Sequence, residues 1–493
     1  MKQPSLFGEL DLGEQSYVNK LLAVILIISF IRILALGASE LNFHGDEAQY
    51  WSWSQVLDWG YYTKPPMIAW IIYSTTSVLG NAEWAARISS PLLHGGTSFF
   101  CALVADRLYG KDAAFWTGIT FLTIPAVSFS SCIISTDVPL LFFWSLSLYL
   151  LITTLQERSF IYSVLLGAAI GFGLLSKYAM AYFFICIFIS CIVFKDYRWF
   201  LKSWNLLISI SIAIIILIPN IIWNMDQGWV TVTHVGDNVN LKGQLFNLQQ
   251  LTSFLGEQFG VFGPILFCVL IFFIILLLRG RIAKREAWLL CFILPILGIV
   301  TVQSFLSRAN ANWAATAYVG ATILVTGWLV ANHRKWILKV SIGFHFITMG
   351  AIIFYFLSFP GYYPPLKSDP LRKLRGWSEL SQKLSNTMRN YPNHILLTDD
   401  RKTMASLLYG LRGEPHSLQI WDFDGNPDHH YELTAKYIPK KEHKIILAAK
   451  WKNPHPILAH FSSRRRLESI QVKTGENTHR ALHLFELKDY RKD

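Results

Sequence analysis

"HGDEAQYWSWSQVLDWGYYTKPP", residues 44–66, directly follows the first long apolar run of the chain, and its reading decides the rest. Asp46, Glu47, Asp58 and Lys64 stand among tryptophans and tyrosines, and the stretch stops at two prolines. Read as a helix, Asp46, Tyr50, Trp53 and Leu57 share one face, which predicts an interfacial helix with aromatic anchors. One carboxylate could cap such a helix by accepting from its free N–H groups. Capping accounts for one acid and not for two in succession, and charge at membrane depth is usually functional. Lys64-Pro65-Pro66 closes the loop: the prolines restrict the backbone and remove two N–H donors, holding the lysine where the chain re-enters the membrane. A lysine there can meet a lipid phosphate as a point charge, or simply snorkel to the interface.

The surroundings of this stretch are those of an integral membrane protein. Charged residues make up 15% of the 493 and hydrophobic ones 53%, against about 25% charged in soluble domains. Eleven apolar runs are candidate spans: 21–38, 86–105, 113–131, 138–155, 160–176, 179–194, 204–222, 254–278, 287–305, 314–331 and 336–358. Glu9, Asp11 and Glu14 before the first run make a poor signal-peptide n-region, so that run reads as an uncleaved signal anchor. The six cysteines lie in or beside apolar runs and read as packing residues, not as a disulfide or zinc framework. No Walker-type loop, G-x-G-x-x-G fingerprint or internal repeat occurs, which leaves a nucleotide-driven activity unsupported.

Orientation follows from Lys and Arg in the short loops, which favour the cytoplasmic side. One alternating set holds thirteen: Arg107, Lys111, Arg158, Lys195, Arg198, Lys202, Arg279, Arg281, Lys284, Arg285, Arg334, Lys335 and Lys339. The opposite set holds four, Lys64, Lys177, Lys242 and Arg308. The expectation is a cytoplasmic N-terminus, with residues 44–66 and the C-terminus outside. Residues 1–360 then form a transmembrane domain and 361–493 a soluble α/β domain. In the latter, "HILLTD", "HSLQIWDF", "KIILAAK" and "ALHLFELK" read as strands, and "GWSELSQKLSNTMR" and "RKTMASLLYGL" as helices. That part carries 23 Lys/Arg against 15 Asp/Glu. Such a basic surface attracts anionic headgroups or a phosphorylated substrate, unless it only solubilises the domain.

Further polar groups gather in the same set of outer loops. Asp137 in "STDVPLL" opens the fourth span, where Pro139 makes an N-cap role an even alternative. Lys177 in "LLSKYA" lies between two apolar spans and needs an anionic partner there. "SRANANWAA" offers Arg308, Asn310, Asn312 and Trp313, and "WNMDQGWVTVTHVGDN" adds Asp226, His234 and Asp237. His234 beside acids is a metal-ligand candidate, although a lone loop histidine is more often solvated. Carboxylates and cations on one side suit group transfer from a lipid-phosphate donor. A carboxylate deprotonates the acceptor hydroxyl, and Lys or Arg neutralises charge on the departing phosphate.

At these residues the chain resembles the polyprenyl-phosphate-sugar-dependent glycosyltransferases of the GT-C class. That class includes protein O-mannosyltransferases and bacterial transferases that add aminoarabinose or galacturonic acid to lipid A and lipopolysaccharide core. The resemblance rests on "GDEAQYW", "YYTKPPMIAWI", "EWAARI", "STDVPLLFF", "LLSKYA" and "RANANWAA", in that order, over most of residues 40–330. "DDRKTMASLLYGLRG" and "WDFDGNPDHHYEL" look like the outer domain of some bacterial members.

The resemblance implies a GT-C fold of about eleven transmembrane helices in the bacterial inner membrane, with a periplasmic C-terminal domain. It also implies inverting transfer of one sugar from a polyprenyl phosphate to an envelope glycolipid. Asp46 matches the carboxylate of the first outer loop assigned to the catalytic site, as base or near the acceptor, with Glu47 beside it, and Asp137 the carboxylate of the second. Lys64 matches the lysine that contacts the donor phosphate, and Lys177 and Arg308 stand as further phosphate or carboxylate contacts. Thr63 stands where relatives carry an acid, and Thr136 where they often carry proline. No fixed cofactor is implied, and a divalent cation is implicated in only some branches. Two rivals exist: a polyprenyl-lipid or glycan flippase, which calls for midplane charges and paired repeats, and a non-catalytic receptor, which leaves the first-loop acids without a purpose.

Overall fold

The computed structural model describes residues 7–8, 15–239, 245–357, 363 and 369–491; Lys242, one of the outer-loop lysines, lies outside them. Compactness divides the chain differently from composition. One unit comprises 1–38, 64–71 and 87–355, and the other 39–63, 72–86 and 356–493. The second thus takes in most of the first outer loop as well as the polar C-terminal part.

The first unit is helical. Among the described residues six helices are long and apolar enough to cross a membrane: Tyr17–Gly37, Glu83–Tyr109, Asp137–Glu157, Trp204–Asp226, Lys284–Leu306 and Lys335–Phe356. The other five expected spans differ in kind. Phe160–Ser176, Tyr178–Val193 and Ala317–Ala331 are shorter apolar helices. The run expected over 113–131 is broken into Lys111–Thr123 and Pro125–Ser130. Pro125 has no N–H to continue the helical ladder, and the buried Arg32 side chain donates to the Leu122 carbonyl and to Ser128 Oγ at the break. Such a break is tolerated inside a membrane protein because the freed backbone groups find protein partners.

The run over 254–278 is likewise no single straight span. Leu248–Phe262 and Pro264–Leu278 meet at 118°. Gly263, at φ 94°, makes the corner, a backbone region open mainly to glycine, and Pro264 starts the next helix. Elsewhere Gly167 and Gly171 let Phe160–Ser176 lie close against Trp204–Asp226; a Cβ on Gly171 would stand 2.9 Å from Ile216 Cβ. Small residues four apart allow this approach where lipid supplies no hydrophobic drive.

The second unit is α/β. Strands β1 (Ile395–Thr398), β2 (Leu418–Ile420), β3 (Ile445–Ala449), β4 (Phe461–Gly475) and β5 (Thr478–Tyr490) form one sheet in the order β2-β1-β3-β5-β4. β1 is parallel to β2 and β3, whereas β5 is antiparallel to β3 and β4. Strand alternation divides the core into two layers. Ile446 and Ala448 face Leu380, Leu384 and Leu407 of the Trp377–Met388 and Arg401–Gly410 helices. Ile445, Leu447 and Ala449 pack with Trp421, Tyr437 and Phe485 on the other face. Both expected helices and all four expected strands are present. β4 is the unforeseen element, because Arg464, Arg465, Arg466, Glu468 and Lys473 mask its alternation. An edge strand studded with charge resists pairing with other chains.

Candidate active site

The helix expected from the opening stretch runs over Gly45–Ser54 and stops there, so Leu57 lies beyond its end and does not share the face with Asp46. Its aromatics build protein core. Trp53 is 1% exposed and stacks on Tyr61 at 4.6 Å. Phe43 and Trp51 pack on Tyr409 of the Arg401–Gly410 helix at 4.6 and 4.8 Å. Trp51 Nε1 donates to Asn81 Oδ1 and the Tyr409 hydroxyl to the Asn81 carbonyl. The exposed apolar residues are instead Val56, Leu57 and Trp59, past the helix end.

The two adjacent acids do different things. His44 is the N-cap: the Asp46 N–H donates to its Nδ1 at 3.3 Å, and Glu47 Oε2 accepts from the His44 N–H at 2.9 Å. This capping box satisfies helix-start donors and leaves the Asp46 carboxylate for other partners. Asp46 Oδ1 receives a hydrogen bond from Arg401 Nη2 at 3.1 Å, and Arg401 also donates to Gln49 Oε1. Glu47 is buried, whereas the Asp46 side chain is 44% exposed. Burial pushes the Asp46 carboxyl up, but Arg401, His44 and Lys402 outweigh it and hold the group below the ordinary carboxylate range. An accessible carboxylate, ionised at neutral pH, is the result.

In the first unit Asp137 and Lys177 form an ion pair. Lys177 Nζ lies 2.6 Å from Asp137 Oδ1, and Asn312 Nδ2 donates to Oδ2 at 2.6 Å. Asp137 is the first residue of its spanning helix, and Thr136, the N-cap, makes no side-chain cap bond. Lys177 is the extended residue between Phe160–Ser176 and the following 3₁₀ turn, so the break in the helix is what presents its ammonium. Arg308 is exposed and forms no ion pair among the described residues; from the same segment it is Asn312 that reaches Asp137. Lys64 is half-buried and precedes the buried Pro65 and Pro66, whose carbonyl (Pro66) accepts from the Ala69 and Trp70 N–H groups to start the next helix.

Asp137 and Asn312 also line a cavity of about 560 Å³, otherwise walled largely by apolar groups including Phe121, Phe129, Val261 and Tyr318. Among the described residues no three His, Cys, Asp or Glu side chains lie close enough together to hold a metal ion, His234 with Asp226 and Asp237 included.

A family model for dolichyl-phosphate-mannose-protein mannosyltransferases matches residues 63–223. The lipid A galacturonosyltransferase RgtD of Rhizobium johnstonii is 33% identical over 414 residues, 83% of this chain and 86% of the relative. The chain belongs to the GT-C glycosyltransferases. The lipopolysaccharide core galacturonosyltransferase RgtA of the same organism is 30% identical, over 41% of this glycosyltransferase and 40% of RgtA. The crystal structure of ArnT from Cupriavidus metallidurans bound to undecaprenyl phosphate shares the fold, with a TM-score of 0.61 at 13% identity, covering 96% of this chain and 98% of that one. The glycosyltransferase is therefore a multi-pass membrane enzyme of helical GT-C architecture with a small C-terminal sheet.

Two residues of this glycosyltransferase were not singled out by sequence. Arg401 stands 355 positions from Asp46. Its signal was the "DDRKTMASLLYGLRG" segment, which marks the region without naming the arginine. Asn312 carries no signal beyond its place in "SRANANWAA", because an uncharged amide gives no electrostatic reason to be chosen.

Proposed function

We propose that this enzyme transfers one sugar from a polyprenyl-phosphate donor to an envelope glycolipid of the lipid A or lipopolysaccharide-core class, at the periplasmic face of the bacterial inner membrane and with inversion. The observation that carries this reading is the extent of the likeness to RgtD, which spans most of both chains. That relative's name makes galacturonic acid the first sugar to test. The cavity beside Asp137 supports a lipid-linked donor, because an isoprenoid chain needs an apolar wall and its phosphate a nearby cation. The thirteen-to-four bias of basic residues supports the orientation.

In this reading Asp46 takes the proton of the acceptor hydroxyl, a role that suits an accessible carboxylate already ionised. Lys64 and Lys177 neutralise the charge left on the polyprenyl phosphate as the glycosidic bond breaks, and Arg308 is free to join them at an exposed turn. Both oxygens of Asp137 already accept hydrogen bonds, so it serves by positioning Lys177. Glu47 serves by fixing the start of the helix that carries Asp46.

The test is reconstitution of the purified full chain in nanodiscs with undecaprenyl phosphate galacturonate and lipid A, followed by mass spectrometry of the glycolipid. A mass increment of one uronosyl residue is expected. Failure to transfer from any polyprenyl-phosphate sugar to any envelope glycolipid would overturn the reading.

A further inference from the structure

The second unit holds a cavity that none of these roles uses. The chain leaves β1 through the Arg401–Gly410 helix to reach β2 on one side, and β3 pairs with β1 on the other, both parallel to it. Strand order therefore reverses at β1, and open α/β sheets offer their ligand crevice beyond the carboxyl ends of the strands at such a point. A cavity of about 590 Å³ lies there, lined by Asp400, just past β1, and by Lys450, the residue after β3. Arg372, Lys373, Lys402 and Arg480 line it too.

Five cations thus face one carboxylate, and that carboxylate is already engaged. Asp400 accepts from Lys450 Nζ at 2.7 Å and from the Thr403 N–H at 2.9 Å. Arg480 is held in place: its guanidinium lies 3.7 Å over the Trp377 ring and donates to the carbonyls of Arg372, Lys373 and Arg375. Arg372, Lys373 and Lys402 are exposed and make no ion pair among the described residues. Like charges gathered around a concavity repel one another and raise the local concentration of anions. Lys402 ties this cavity to the candidate base. Its stem lies across Gly45, where a Cβ would stand 2.9 Å from Lys402 Cγ, and its charge acts on both Asp46 and His44.

Resting on the glycosyltransferase reading above, we infer that this cavity is an oxyanion subsite, which seats a phosphate or carboxylate of a saccharide and so holds that saccharide beside Asp46. The shared chemistry has two sources: an acidic group on the acceptor glycolipid, or the carboxylate of a uronic acid donor. Flexible lysines suit either, as point charges without fixed geometry.

The experiment measures equilibrium binding to the full chain in nanodiscs, for wild type and for Lys373→Gln/Lys402→Gln. Four probes are used: phosphorylated and dephosphorylated lipid A, and undecaprenyl phosphate carrying galacturonic acid or a neutral hexose. The double variant should lose roughly tenfold in affinity for phosphorylated lipid A or for the uronosyl donor, as two exposed ion pairs allow, and keep its affinity for the counterpart that lacks that one acidic group. Loss with phosphorylated lipid A assigns the subsite to the acceptor, and loss with the uronosyl donor assigns it to the donor. Added salt should weaken wild-type binding of that probe more than variant binding. Equal affinities of wild type and variant for phosphorylated lipid A and for the uronosyl donor at low salt, or no wild-type binding of either, would overturn the inference. Because binding is read without turnover, a protein that binds in this way but transfers nothing refutes the proposed function and leaves the subsite assigned.

Discussion

Arg401 holds Asp46: its guanidinium lies 3.1 Å from Asp46 Oδ1, joining the start of a helix near the N-terminus to the first residue of a helix that follows β1. This pair keeps the candidate base charged and fixes which way it faces. Asp46→Asn should lower transfer on the order of a hundredfold or more, the usual contribution of a positioned base, with unchanged folding in the membrane. Full activity in that variant would remove Asp46 from the mechanism.

Arg401→Gln isolates the electrostatic part. Burial raises the Asp46 carboxyl and Arg401 is the largest influence lowering it, so removing the guanidinium lets it rise. The acid limb of the rate profile should move to higher pH, because protonated Asp46 cannot accept a proton. The sign for stability runs the same way. A depressed carboxylate contributes above its unfolded value near 4, roughly, and loses that contribution as the pH falls through the folded value. An unmoved acid limb would show that another group sets it.

Asp137 and Lys177 separate stability from function. Removing one partner of a largely buried pair leaves an uncompensated charge, so Asp137→Ala should cost about 3 kcal/mol in detergent unfolding. Asp137→Leu with Lys177→Met should recover most of that loss without restoring transfer. A double variant that transfers normally would confine both residues to packing.

Lys64→Ala should raise the apparent KM for the donor about tenfold with little change for the acceptor, as expected for one lost charge contact to phosphate. An unchanged donor KM counts against phosphate contact.

Gly263→Ala tests the corner between the two helices of the bent pair. The substitution meets a positive φ and drives a methyl group against the His345 ring, so a loss of about 2 kcal/mol is expected from strain and overlap together. A melting temperature equal to wild type would mean that the bend relaxes freely.

The residues divide cleanly by what can be read from order alone. Apolar run length, the basic bias of alternate loops and the motif series from "GDEAQYW" to "RANANWAA" determined a multi-pass GT-C enzyme. Alternation of side chains foretold four strands, because that periodicity is local. Tertiary structure decided the rest. Pro125 and Gly263 break runs whose hydropathy reads as continuous, since hydropathy is blind to backbone dihedrals and to a distant Arg32 that satisfies the freed carbonyl. It also decided that Glu47 caps while Asp46 pairs, that Asn312 rather than Arg308 meets Asp137, and that Tyr409 draws the opening stretch into the α/β unit. Two neighbouring carboxylates carry the same charge in a sequence. Only the groups that folding brings to within 3 Å or so make one a helix cap and leave the other as a candidate base.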